Sequence, residues 1–378
     1  MSVPRTFASP EEADFFARVE QIADEELAPR AATGEESASY PAGLVRMLGA
    51  LGVFRLPFPE CRGGAGRSYE FYVQVVERLA AGWLAVAESA HVHVLACHAV
   101  STFASDEVRD ALLARMLGGE LLGATCMSEP DAGSDLTSVR TRAERQNGQY
   151  LVTGTKSWVT HGGFADIYSV YCRTGGPGPG GISCLLVDAG TPGLLPGPPE
   201  RKMGVRALPT AEVRFDGVRV SDTRMLGRRN RGMLVAASTF DHGRLGISAC
   251  AVGIAQAALD HACRYARDSP PSDASGFSSQ GISFLLADMA AQVAAARALL
   301  LSVARMKDQG LAFSAEAAKC KLFTTNVAMR VTTDAVQVLG DTGYRCDQPV
   351  ERLLREAKLL QIIEGTNQIQ RIAIARSL

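Results

Sequence analysis

The stretch "YLVTGTKSWVTHGGFADIYSV", residues 150–170, decides the architecture: it holds two short β-branched runs divided by a glycine turn. Similar runs follow at "ISCLLVD" (182–188) and "AEVRFDGVRV" (211–220), with Gly, Pro and Asp between them. Short strands separated by turn residues read as a small antiparallel barrel or sandwich covering about 122–235. The run "GGPGPGG" (175–181) has no Lys-Ser/Thr after it, so it reads as a hairpin loop and not as a phosphate cradle.

On both sides of this window the apolar period is helical. Ser9-Pro10-Glu11-Glu12 is a helix start, with Ser9 as cap and Pro10 at the first helical position. Phe15, Phe16, Val19, Ile22 and Ala23 then recur at helical spacing. A further apolar helix is expected around 69–82, and another over the segment of His91, His93 and His98. With no acids near them, those histidines read as core or substrate-pocket residues rather than metal ligands. After 236 come three long apolar runs, 239–266, 283–307 and 315–340, each far longer than a mean helix. Their apolar breadth predicts a bundle, and an oligomer beyond it. The chain therefore reads as an α+β protein with a helical domain (1–121), a middle β-domain (122–235) and a C-terminal helical bundle (236–378).

Composition narrows the function classes. Of 378 residues, 47% are hydrophobic and 21% charged, which describes a globular chain and excludes a disordered one. The net charge of -1, with no basic block, argues against nucleic acid or an anionic membrane as partner and favours a small-molecule substrate. Nine scattered cysteines without a Cys-x-x-Cys pair read as reduced thiols in a cytoplasmic protein and point to no metal site. No stretch reaches the roughly 18 uncharged apolar residues of a membrane span. The alanine-rich run at 288–304, interrupted by Asp288, Gln292 and Arg297, reads as a core helix.

The other informative stretch is "REAKLLQIIEGTNQIQRIAIARSL" (355–378). Glu364 stands there between Ile363 and Gly365. A lone carboxylate among branched apolar residues is partly desolvated, which raises its pKa and suits it to act as a base near neutrality. On these residues alone the first reading is an acid that merely precedes a helix capped by Thr366, and only the rest of the chain can overturn it.

Taken together, "PECRGGAG" (59–66), "CMSEPDAGSDLTSVRTRAE" (126–144), residues 150–170, "KMGVRALPTAEVRFDGVRV" (202–220), "FDHGRLGISACAVGIAQAALDHACRYA" (240–266) and "PVERLLREAKLLQIIEGTNQIQR" (349–371) resemble, in order, the acyl-CoA dehydrogenase family. The resemblance implies an N-terminal helical domain, a middle β-domain and a C-terminal four-helix bundle. It implies α,β-dehydrogenation of an acyl thioester, in which a carboxylate removes the α-proton and the β-hydrogen leaves as hydride to N5 of FAD. Position by position, Glu364 falls on the catalytic base. Met127 and Ser128 fall along the flavin edge, Trp158 on a flavin-packing aromatic and Thr160 near N5. Gln337, Gly340, Gly365, Thr366 and Gln368 fall on further cofactor positions. Ser134, Asp241, Arg244 and Arg376 fall on substrate or carrier contacts; Trp158 and Thr160, two apart on a strand, should face the same side.

Two departures touch the cofactor. The family's Arg-x-Gln-Phe-Gly run, which reaches the FAD of a neighbouring subunit, is replaced by Ser269, Pro271, Ser272 and Asp273, and Asp341 stands where a Gly is usual. The expected reading is an FAD-dependent, cytoplasmic oxidoreductase, forming a homodimer or homotetramer, with an electron-transfer acceptor or oxygen as final oxidant. Its substrate is an acyl thioester on CoA or on an acyl or peptidyl carrier protein; the Ala/Gly/Arg-rich composition fits bacterial secondary metabolism. Two alternatives stand beside it: a redox-inactive isomerase or cyclase using Glu364 for proton transfer with weak or no FAD binding, and a non-enzymatic scaffold.

Overall fold

A computed structural model describes residues 5–268 and 278–378 of the chain. The first helices are α1 (Pro10–Gln21), α2 (Ala28–Ser37), α3 (Ala42–Leu51), α4 (Tyr69–Gly82), α5 (Leu84–Phe103) and α6 (Asp106–Leu117). Side-chain caps start three of them. Ser9, Ser68 and Ser105 accept from the backbone N–H three residues on, at 3.4, 3.1 and 3.3 Å. Helix α5 is buried on nearly every side, as a helix apolar all round must be, and lies at the centre of the helical layer.

Eight strands follow: β1 (Gly123–Cys126), β2 (Arg142–Gln146), β3 (Gln149–Thr160), β4 (Ile167–Arg173), β5 (Ile182–Asp188), β6 (Leu194–Pro199), β7 (Thr210–Ser221) and β8 (Met225–Leu226). They form one sheet in the order β6-β7-β3-β2-β4-β5-β8, with β1 added beside β4. The sheet is not purely antiparallel. β1 pairs with β4 in parallel, and β2 meets β4 in parallel at Arg142 and Arg173. The β2–β3 hairpin intervenes in sequence, so β4 can return alongside β1 in the same direction. The 175–181 glycine run joins the antiparallel pair β4–β5, as a hairpin loop does.

Five helices complete the chain: α7 (Gly232–Asp268), α8 (Ser278–Asp308), α9 (Ser314–Leu339), α10 (Pro349–Leu360) and α11 (Asn367–Ala375). Helices α7 to α10 pack together, and α7 also packs on α4 and α5, so the first and last helical segments share one core. Helices α7 and α8 are each long and apolar enough, by length and composition, to cross a membrane. In α7, 83% of the apolar window is buried within the chain, against 22% in α8. The expectation of a core helix at 288–304 is therefore corrected. Only the stripe of Met289, Val293, Ala296, Leu300, Val303 and Ala304 is buried among the described residues, whereas Phe284 is 63% exposed.

Candidate active site

Glu364 occupies the turn between α10 and α11. It has φ +52° and Gly365 has φ +80°, two successive left-handed residues that reverse the chain. For a residue with a Cβ this conformation costs about 1–2 kcal/mol, so the turn must be held from outside. The Gln370 amide donates to the carbonyls of Glu364 (3.2 Å) and Gly365 (2.8 Å). Lys321 Nζ, from α9, donates to Gly365 O and to Asn367 Oδ1, both at 3.0 Å. Thr366 caps α11, accepting from Ile369 N at 3.3 Å.

The Glu364 carboxyl is lodged against α7. A Cβ on Gly243 would lie 2.4 Å from Glu364 Oε2 and 3.3 Å from Leu95 Cδ1, so the absence of a side chain at 243 makes the space. Burial pushes the Glu364 pKa up to about 7, against the pull of Lys321 and then of Arg244. Lys321 is pushed down to about 7, again by burial, with Glu364 opposing and Arg244 reinforcing. Arg244 Nη1 donates to Asp241 Oδ1 at 2.9 Å, while its Nε is buried without a partner. Asp241 and Arg244 thus pair on α7, and the Arg244 cation also bears on the candidate base.

A second group gathers on the β-domain. Lys156, wholly buried, donates from Nζ to Met127 O (2.8 Å) and to Glu129 Oε1 (2.9 Å); Glu129 also accepts from Arg140 N and Thr141 N. Ser157 N donates to Ser128 O at 2.9 Å, so Met127 and Ser128 are tied to the strand that carries Trp158 and Thr160. Strict alternation fails there. The β3–β7 register shifts between Lys156 and Val159, and Trp158 has φ +58°. This bulge leaves Trp158 64% exposed beside the buried Val159, with Thr160 half-buried. A large aromatic held outward on a strained backbone offers a flat face to a planar ring system.

The remaining candidates are dispersed. Ser134 is exposed in the loop after β1, and Gln368 and Arg376 are exposed on or just after α11. Gln337 and Gly340 are exposed at the C-terminal end of α9. Sixteen residues of α9, about 24 Å, separate Gln337 from Lys321, so one chain does not bring all the predicted cofactor residues together. Gly340, at φ 62° and ψ -134°, adopts a conformation that residues with a side chain avoid. Asp341 is exposed and its carboxylate accepts from Thr342 N at 2.8 Å. Ser269, Pro271, Ser272 and Asp273 lie outside the described residues. Among the described residues no three His, Cys, Asp or Glu side chains converge as a metal site. Sequence reasoning missed Gly243, Lys321 and the Lys156–Glu129 pair. A lysine inside the apolar run of α9 was the available signal for one of them.

Comparison with known families covers almost the whole chain. Residues 9–120, 124–218 and 230–378 match the N-terminal, middle and C-terminal domains of acyl-CoA dehydrogenase. The chain belongs to the acyl-CoA dehydrogenase family. It is similar to an acyl-CoA dehydrogenase of Bacillus subtilis, 39% identical over 95% of this chain and 96% of that one. Among solved structures it is similar to butyryl-CoA dehydrogenase from Megasphaera elsdenii, with TM-score 0.95, 34% identity and 99% of each chain covered. It is also similar to the prolyl acyl carrier protein oxidase AnaB, with TM-score 0.93, 26% identity, and 98% and 99% covered. Membership places the protein among the flavin oxidoreductases that act on CH–CH groups.

Proposed function

We propose that the protein desaturates an acyl thioester between its α and β carbons, with Glu364 as the α-proton base. The observation that carries this reading is the Glu364 carboxyl, desolvated to a pKa of about 7 in the space left by Gly243. A thioester α-proton is too weakly acidic for an ordinary carboxylate, and a base whose pKa lies near the working pH transfers protons most effectively. Lys321 and Arg244 bear on the site as cations, so the base is still populated in its ionised form near neutrality. Lys321 and Gln370 hold the strained turn, which fixes the direction of the carboxyl.

The residues present fit FAD. Trp158 offers an exposed ring face, Met127 and Ser128 are fixed beside it, Thr160 lies two residues on, and Thr366 opens a helix whose first amides suit a phosphate. When bound, FAD supplies the acceptor for the β-hydrogen and its electron pair, which no side chain can supply. Gln337 and Gly340 stand too far along α9 to join that group in one chain, and the exposed apolar face of α8 needs cover. Both features support a homodimer or homotetramer in which a second copy completes the cofactor site. Ser134, Asp241, Arg244 and Arg376 belong, in this reading, to the path of the CoA or carrier-protein portion. The likeness to AnaB, named for an acyl carrier protein, keeps both carriers open to test.

The test is spectroscopic. Purified protein should carry flavin absorbance that bleaches when an acyl-CoA or acyl-carrier thioester is added without oxygen. Glu364→Gln should retain the flavin and lose the bleaching. A protein that takes up no FAD, or a Glu364→Gln variant that bleaches at the parental rate, refutes the reading.

A further inference from the structure

Glu88, on α5, is only 3% exposed, and its Oε2 has no hydrogen-bond partner. Desaturation at Glu364 makes no use of it. Other buried glutamates are met by donors. Glu35 accepts from Trp83 Nε1 at 3.1 Å and from the backbone of Arg206 and Ala207. Glu77 is met by Arg5 and Arg297, Glu129 by Lys156, and Glu356 by Arg352. A carboxylate buried without such donors costs the fold free energy, which a purely structural position has no reason to retain.

Its position follows from the packing of α5 against α7. Leu95 meets Gly243, where the Glu364 carboxyl lies; one turn earlier on α5, His91 meets Gly246, whose added Cβ would be 2.0 Å from the imidazole. The two helices therefore run antiparallel along this seam, and a further turn brings Glu88 towards Cys250, whose thiol feels the Glu88 charge. Glu88 and Leu95 are seven residues apart and share a face of α5, which places Glu88 about 10 Å along the seam from the base. Burial raises the Glu88 pKa to about 7, opposed by Lys202 and reinforced by the negative charges of Glu364, Glu356 and Glu35. Lys202 does not pair with it: its Nζ is engaged by Leu208 O and, at 2.9 Å, by Thr210 Oγ1.

We propose that the acyl chain runs along this seam and that Glu88 recognises its far end, so that the acyl group it selects ends in a hydrogen-bond donor, foremost an amine. This rests on the thioester dehydrogenase reading of Glu364. An ammonium meeting Glu88 would restore the pairing that the protein itself leaves out, whereas a plain hydrocarbon would leave the carboxylate desolvated and a terminal carboxylate would be repelled.

Binding should be measured by calorimetry on the FAD-loaded Glu364→Gln protein, which cannot consume its ligand. The probes are hexanoyl-CoA, 6-hydroxyhexanoyl-CoA, 6-aminohexanoyl-CoA and adipoyl-CoA. With Glu88 present, the amine should bind at least tenfold more tightly than hexanoyl-CoA, the alcohol should fall between them, and adipoyl-CoA should bind worst. Adding Glu88→Leu should reverse the order of amine and hydrocarbon. Adding Glu88→Gln, which keeps the shape, should abolish the preference for the amine over the alcohol. Both substitutions remove an unpaired buried charge and should leave the thermal midpoint unchanged or higher. Hexanoyl-CoA binding as tightly as the amine, or a ratio unmoved by Glu88→Leu, overturns the assignment. Flavin bleaching of the parent protein reports the dehydrogenase reading separately: tenfold discrimination without bleaching sustains the role of Glu88 and refutes the chemistry, and bleaching without discrimination does the reverse.

Discussion

Replacing Glu364 by Gln should remove activity and, at alkaline pH, add stability. The carboxyl rises from 4.5 to about 7 on folding because burial disfavours its charge. Between those values the unfolded chain has ionised Glu364 while the folded chain keeps its proton. Stability is therefore lost as pH rises through this window, and the full cost, about 3 kcal/mol, is present above pH 7. Glutamine keeps the shape and the left-handed turn without the charge. Lys321 behaves oppositely. Pushed down to about 7, it costs the fold when it must hold a proton, and that cost fades as pH rises from 7 towards 10.5. Near pH 6 the variant also strips Lys321 of its counter-charge, which offsets part of the gain, so the gain is clearest at pH 8. Thermal or urea unfolding of parent and variant from pH 4.5 to 8 should show curves that meet at the acid end and separate by up to about 3 kcal/mol at pH 8. In the same series the parent's kcat/KM should climb through pH 7 as the base ionises, and the variant should lose about 10²–10⁴-fold. A variant less stable than the parent at pH 8, or a parental pH profile flat between 5 and 8, refutes the buried-base argument.

Three further outcomes test the supports of the site. Gly243→Ala places a methyl 2.4 Å from Glu364 Oε2 and should cost about 10²-fold in turnover by displacing the carboxyl, with flavin content and unfolding nearly unchanged. Lys156→Met leaves Glu129 buried without its cation; the thermal midpoint should fall with a loss of about 3–5 kcal/mol, and FAD should dissociate faster as the Met127–Ser128 segment loosens. Lys321→Met removes one of the two donors to Gly365 O, which keeps Gln370, and to the Asn367 amide oxygen, which keeps Thr325, costing about 1–3 kcal/mol in stability and lowering kcat more than it raises KM, as steady-state kinetics would show.

Much of the architecture was legible in one dimension because it is written in local periods. The strand alternation after residue 150, the Ser9-Pro10 start and the long apolar runs of the C-terminal third each report a face that must be buried, and each appears as a strand or helix where that period runs. The local pattern marked Glu364 as a lone acid among isoleucines before a capped helix, but it was the family resemblance that singled it out as a candidate base. What the one-dimensional pattern could not carry was partnership across the chain. Alanine-rich α8 has the composition of a core helix, yet how much of it is buried depends on which helices come to lie beside it, and one chain supplies neighbours for a single stripe. Trp158 sits in a bulge that only the pairing of β3 with β7 creates, between Lys156 and Val159. Gly243 and Glu88 look unremarkable at their own positions, and Lys321 signals no more than a lysine inside an apolar run. Only the meeting of α5, α7, α9 and the 361–366 turn makes them the space for the base, the clamp on its backbone and an unpaired charge two helical turns away. Burial and pairing are properties of surroundings, and the surroundings of a side chain are assembled from segments hundreds of residues apart.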